Sequence, residues 1–230
     1  MTAIMASVQR RIALFASLLI LTTLILPTAP MAATDQEEVV TKSRFTVEEL
    51  LANPDELPIE EYLKQAKGVL VIPSLIKGGF ILGAEGGNGV LMVRGSDGTW
   101  SNPAFYTLVA GSFGLQIGGQ VSEVIFTLMN DEAVTAILQD EFKFGGDLSV
   151  AVGHKGAGVE ASSSTAFDAD IYAFSKAVGL FGGGAIEGAK LITREEWNQG
   201  YYGDGATPEA IVIERRFSNP QSAKLRDALP

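Results

Sequence analysis

The chain has 230 residues, 47% hydrophobic and 19% charged, with 27 acidic against 17 basic residues. Such a length and composition describe one globular domain with a real core. The absence of cysteine and the single histidine exclude disulfides, thiolate catalysis and Cys/His metal centres, and a net charge of −10 excludes nucleic acid as a bulk-charge partner.

Arg10 and Arg11 precede the apolar run "IALFASLLILTTLIL", and Pro27, Pro30 and "MAATD" follow it. A short basic region, a short apolar core and a small-residue end make residues 1–33 a secretory signal peptide, with cleavage after Ala33. The run has 15 residues, under the ~20 that span a bilayer. An uncleaved anchor is the alternative. The expected mature domain, 34–230, is exported to the periplasm or cell envelope and carries a net −12.

Residues 34–67 are expected to be helical and polar. In "FTVEEL", Thr46 suits an N-cap, with Glu49 three residues on and Phe45 facing Leu50 as a hydrophobic staple. A second helix is expected with Pro58 in its first turn and Gly68 just past its end, which puts Lys64 and Lys67 on one helix face. Of the 26 glycines, 23 fall between Gly68 and Gly188, and there the apolar period is two. Phe105, Thr107, Val109, Gly111, Phe113, Leu115 and Ile117 alternate with a polar or small set. Val124, Phe126 and Leu128, then Leu148, Val150 and Val152, repeat the pattern. "DADIYAFSKAV" is rich in strand formers. These features predict antiparallel sheet with one buried face, its glycines marking bulges, sharp coiling or close backbone approach. Short helices are expected after Asn130, in "DEAVTAIL", after Thr193 with Glu196 as its capping-box partner, and after Thr207-Pro208. The fold class is α+β: a single domain with a strongly curved, glycine-rich antiparallel sheet or barrel and several short packed helices.

Three patterns suggest sharper chemistry, and each has a plainer reading. In "AVGLFGGGAIEGAKL", a phosphate loop needs a lysine and a hydroxyl after the last glycine, and a Rossmann turn needs a helix; Gly182-x-Gly184 has neither, so coiled sheet is expected. "AGSFG" resembles a nucleophile elbow, and Ser112, an acid at Asp131, Asp140 or Asp147, and His154 would follow hydrolase order. The elbow requires strand, turn, helix, whereas alternation continues past Ser112. The serine is therefore expected to be a small residue on a crowded strand, and His154 a turn residue. Asp168 and Asp170 suit solvated carboxylates at a strand start, and Trp100 and Tyr106 suit packing around "SNPAF". No metal spacing occurs. No enzyme, cofactor or metal is expected.

Five segments carry a family resemblance: "AKGVLVIPSLIKGGFILGAEGGNGVLMVR", "GTWSNPAFYTLVAGSFGLQIGGQ", "FKFGGDLSVAVG", "DADIYAFSKAVGLFGGGAIEG" and "YYGDGATPEAI". In this order, from about Tyr62 to Ile213, they resemble the successive blocks of the SYLF domain. The resemblance implies an α+β domain with a curved glycine-rich sheet. It also implies lipid binding through an N-terminal amphipathic segment and basic residues. Eukaryotic members act as phosphoinositide-binding modules and actin regulators, while members with a signal peptide are typical of bacteria. Lipid is therefore carried over, and actin is not. Val178 stands where the family often has a basic residue, and "TDQEEVV" is acidic, which favours a zwitterionic or weakly anionic lipid.

The resulting expectation is a non-enzymatic phospholipid-binding module of the bacterial envelope. Apolar surface would take the chains, and Lys64, Lys67, Lys77 and Lys176 the head group. The alternatives are a structural envelope protein, an outer-membrane β-barrel without a specific ligand, and, last, a serine hydrolase.

Overall fold

A computed structural model describes residues 33–52, 58–79, 82–113, 118–139, 142–145, 148–153, 169–175 and 188–230. Thr34–Pro230 forms one compact unit. In chain order the elements are α1 (Asp35–Leu51), α2 (Ile59–Gln65), β1 (Gly68–Gly79), β2 (Leu82–Val93), β3 (Ala104–Phe113) and β4 (Gly118–Leu128). They continue with α3 (Asp131–Leu138), β5 (Phe142–Lys143), β6 (Val150–Gly153), β7 (Ile171–Ser175), β8 (Lys190–Thr193), α4 (Glu195–Tyr202), α5 (Pro208–Val212) and α6 (Ala223–Ala228). The architecture is α+β, as expected.

The strands form a single curled sheet in the order β5-β8-β3-β2-β1-β4-β7-β6. Every pairing is antiparallel except β6 with β7, which is parallel, so the sheet is mixed and not purely antiparallel. The β4-β1-β2-β3 part is a Greek key: three meandering strands, with the fourth returned beside the first. The alternation from Phe105 runs along β3 as far as Phe113; Leu115 and Ile117 lie outside the described residues.

Both faces of the sheet are buried at its centre, where one buried face was expected. Leu70, Leu91, Tyr106, Leu108 and Phe126 point to one side, the inner face, and are covered by α3 and α5 residues such as Ile137 and Ile211. Val69, Met92, Phe105, Ile125 and Phe174 point to the other, the outer face, and meet Val47 and Leu50 of α1, Leu63 of α2 and Trp197 of α4. The intervening residues of each strand simply feed the second core.

Pro73 sits within the central strand β1, where a residue without an N–H cannot complete a ladder. The register absorbs it: Val71 faces Val90 while Ile76 faces Gly86, and Ile72 faces Val124 while Leu75 faces Ser122. β1 thus carries one extra residue against both neighbours, a bulge. It presses onto β2. A Cβ at Gly87 would lie 2.5 Å from the Ser74 carbonyl oxygen and 2.8 Å from Ile72 Cγ2. The expectation that strand glycines mark bulges and close approach holds at Gly87 and Gly89.

Helix starts agree with the sequence where the cap stands alone. Asn130 Oδ1 accepts from Ala133 N at 2.8 Å, and Thr207 Oγ1 accepts from Ala210 N at 3.2 Å with Pro208 behind it. Elsewhere they differ. α1 begins twelve residues earlier than "FTVEEL" suggested, capped by Thr34 with Glu37. Thr46 lies inside the helix, buried with Val40, Ser43, Val47 and Leu50 on the face that packs on the sheet. The N-cap of α4 is Arg194 without a side-chain cap bond, not Thr193. α5 is followed by a further helix, α6.

Asp170 is no solvated carboxylate. Its oxygens accept from Asn130 Nδ2 at 2.7 Å and from Ser149 N and Oγ at 2.8 and 2.7 Å, tying the start of β7 to the segment before β6 and to the α3 cap. The Ser149 amide, then its hydroxyl and Asn130, hold the carboxyl below its ordinary range. A depressed native pKa stabilises the fold above the unfolded value of ~3.9, and that contribution is lost as pH falls through the native one. Asp170→Asn is therefore expected to cost about 1 kcal/mol at pH 6. The difference in urea midpoint from wild type should shrink below about pH 4. Asp168 lies outside the described residues.

Candidate functional surface

The helices that cover the outer face stop short of one end of the sheet. There the register lines up a transverse row, Val121 of β4, Ile76 of β1, Gly86 of β2 and Val109 of β3. Lys190 of β8 and Lys143 of β5 continue it. Val121 is 63% exposed and Ile76 58%, both aliphatic and directly opposite one another. The next row toward the strand ends is Gly119, Gly78, Ala84 and Gly111, nearly bare backbone. Ile192, 39% exposed, stands one row inward opposite Thr107. The result is a strip of aliphatic side chains over a flat floor, the kind of contiguous apolar surface that marks an interaction site.

The strip is bounded on the side of the helices by an open cleft of ~450 Å³ between the α1 residues Asp35, Glu38, Val39 and Lys42 and the β1 bulge. Arg194 ties together three of its lining residues, Asn88, Thr107 and Trp197. The guanidinium donates to Asn88 Oδ1 at 2.9 Å and to Thr107 Oγ1 at 3.2 Å, and lies 4.1 Å from the Trp197 ring.

On the inner face of the same sheet end, Lys77 of β1 pairs with Glu85 of β2, Nζ to Oε1 at 2.6 Å. The Glu85 side chain is 2% exposed. Ser122 of β4 is also buried on this face, opposite Leu75.

The structure does not gather the four expected lysines. α2 ends at Gln65, and Ala66 takes an extended backbone, so Lys67 leaves the helix face that Lys64 occupies. Lys64 is paired with Glu60 at 2.7 Å. Lys67 precedes β1 and Lys77 lies near its far end, roughly 30 Å away at ~3.3 Å per residue. Lys176 lies outside the described residues. Among the described elements β3, which contains Ser112, is followed by strand β4 from Gly118 and not by the helix that an elbow requires. His154 lies outside the described residues. Trp100 and Tyr106 are buried packing residues, as expected. Within the described residues β5 to β8 have two to five residues each, short of the ~9–11 of a membrane-barrel strand.

Sequence reasoning missed Glu85, Lys143, Lys190, Ile76 and Val121. For Glu85 a signal existed: it is the one charged residue between positions 78 and 93. The others became a surface only through register.

Comparison with known proteins agrees with these blocks. The family described as "Las17-binding protein actin regulator" (Ysc84) matches residues 109–230. Protein YSC84 of Saccharomyces cerevisiae is 35% identical over 156 residues, 66% of this chain and 33% of that protein. LAS seventeen-binding protein 3 of the same species is 34% identical over 164 residues, 70% of this chain and 36% of that protein. The human SH3 domain-containing YSC84-like protein 1 is 35% identical over 150 residues, 65% of this chain and 44% of that protein. The chain thus matches between a third and a half of the length of these relatives. It belongs to the Ysc84 family, whose shared domain is the SYLF domain.

Proposed function

We propose that this domain is a non-enzymatic phospholipid-binding module that docks on lipid surfaces through the uncovered row Val121–Ile76–Gly86–Val109. The observation that carries this is the opposed, exposed Ile76–Val121 pair over a glycine floor. Flexible aliphatic side chains on a flat face suit acyl chains. The row itself holds no buried aromatic or arginine anchor of the kind on which affinity concentrates at protein interfaces. Lys190 and Lys143, directly opposite each other at the end of the row, bring positive charge to a chain of net −10. They supply a salt-sensitive part of the binding, screened within ~8–10 Å at physiological salt.

Liposome co-sedimentation at low and high salt tests the proposal. Wild type is expected to keep an apolar, salt-resistant component. Ile76→Asp with Val121→Asp should weaken binding at both salts by tenfold or more. Charge reversal at Lys143 and Lys190 should remove only the salt-sensitive part. Binding unchanged by the Ile76/Val121 variant would sink the site, and binding to no vesicle would sink the function. Filamentous actin in parallel tests the role named in the family description; pelleting with actin but not with vesicles would replace lipid by protein as the partner.

The short apolar run and the small residues that follow it support export of the domain to the bacterial envelope after removal of residues 1–33. An intact mass beginning at Thr34 is the expected result.

A further inference from the structure

We infer that the cleft between the β2–β3 turn and α6 is a binding site for a phosphate monoester, with Arg226 and Arg215 as its receptors. The inference does not depend on the phospholipid reading above. It assigns a second ligand to a different end of the sheet.

The cleft is open and holds ~590 Å³, a size found for small-molecule sites. Three segments distant in the chain wall it: residues 98–102 of the turn, Arg215 after α5, and Arg226 with Leu229 at the end of α6. In a chain of net −10, two guanidinium groups thus line one cleft.

Arg226 is half-buried, and its Nε is shut off from water with no hydrogen-bond partner. Among the described residues no acceptor meets the rest of its side chain. An arginine that merely solvates the surface keeps its donors in water, and a buried donor without a partner is costly. Arg215 is held in place instead. Its guanidinium donates to Thr99 Oγ1 at 2.8 Å, to the Thr99 carbonyl at 2.7 Å and to Asp97 Oδ1 at 3.5 Å. Among the described residues it is also the one non-glycine with a left-handed backbone, at φ 54°, a conformation that persists only where its surroundings hold it.

The unused donors define the ligand. A guanidinium has five donors and no acceptor, so all those of Arg226 and two of Arg215 remain for oxygen atoms. One fork satisfies a planar carboxylate. A phosphate monoester has three terminal oxygens and a charge near −2, enough for two forks. That charge also outweighs Asp227, exposed on the rim and, among the described residues, paired with neither arginine. The position of the cleft separates it from the lipid. β2 has Gly86 in the exposed row and Val93 near the turn, roughly 20 Å apart at ~3.3 Å per residue. A bilayer met by the row lies at the other end of the strand, so the ester belongs to a soluble molecule.

The test titrates the full chain with glycerol 3-phosphate, inorganic phosphate and, as the planar control, acetate, all at one ionic strength. NMR follows the backbone amides, and circular dichroism melts confirm folding. Expected are saturable shifts at Thr99 and Trp100 with both phosphates, and at least fivefold weaker binding of acetate. Arg226→Gln should weaken glycerol 3-phosphate tenfold or more, the size of one charge-assisted pair. Arg226→Lys, which keeps the charge and loses the fork, should restore only part of it and carries the test if Arg226→Gln fails to fold. Arg216→Ala should change nothing. Vesicles of phosphatidylcholine with phosphatidic acid test the other source of a phosphate monoester. Their binding is expected to be the same in wild type and Arg226→Gln; a loss in the variant would keep the phosphate site and make a lipid its source. Acetate binding as tight as phosphate, shifts confined to other parts of the chain, or affinity unchanged in the Arg226 variants would overturn the inference. Failure of every vesicle to bind would remove the phospholipid reading and leave this one standing.

Discussion

Gly89→Ala is expected to destabilise the domain by ~3 kcal/mol or more, or to prevent its folding, whereas Gly111→Ala should stay within ~0.5 kcal/mol of wild type. Both glycines lie inside strands, and a propensity argument treats them alike. They differ in what surrounds them. At Gly89 a Cβ would overlap the Val71 carbonyl oxygen and Ile72 Cδ1. Val71 and Ile72 belong to the bulged part of central strand β1, fixed on both sides by β2 and β4. The obstacle is backbone, so no rotamer change relieves it. At Gly111 a Cβ would meet nothing within 4 Å. Urea unfolding followed by circular dichroism gives both values. Equal effects at the two sites would show that the close approach of β1 to β2 is not what holds Gly89.

Arg94→Ala should cost about 3 kcal/mol, a fall in melting temperature of roughly 6–12 °C for a domain of this size. The guanidinium donates to four backbone carbonyls: Leu63 at 2.8 Å, Ala66 at 3.2 Å, Gly98 at 3.3 Å and Pro230 at 2.7 Å. Leu63 and Ala66 are at the C-terminal end of α2, where carbonyls lack helical partners and a cation is favoured. The flat of the guanidinium lies 4.3 Å from the Trp100 ring. Burial lowers the pKa of Arg94, a cost offset because four donors of the planar fork are used at once. Arg94→Lys should recover little, since an ammonium cannot hold that spread of acceptors or stack on the indole. Arg216→Ala, an exposed arginine paired with Glu214, is the control and should change stability by no more than ~0.5 kcal/mol.

What was legible from sequence, and what was not, divides by range of interaction. Asn130 and Thr207 cap their helices through bonds three residues long, so the local pattern contained the whole interaction. Alternation announced strands because the side-chain period belongs to the extended backbone itself. The five blocks identified the family because they keep its order. Thr46 misled for the complementary reason. Its local pattern suits a cap, but Val40, Ser43, Val47 and Leu50 bury a continuous helical face against the sheet, and that packing outweighs one cap bond. The second buried face escaped notice because residues such as Val69, Met92 and Ile125 read as interruptions of one pattern until helices cover them.

The candidate surface lay furthest beyond the sequence. Ile76 and Val121 are 45 positions apart, Lys77 and Glu85 face each other across a pairing whose register is set by the bulge at Pro73, and Lys143 meets Lys190 across β5 and β8. The sequence by itself determined residue types, local periodicity, the capped helix starts and family membership, because each depends on neighbours along the chain. The order of the strands, the slip in β1, the end of the sheet left uncovered and the company kept by Glu85 were decided only by tertiary structure. Each depends on which distant segments pack together, and pairing energy between strands has no local signature.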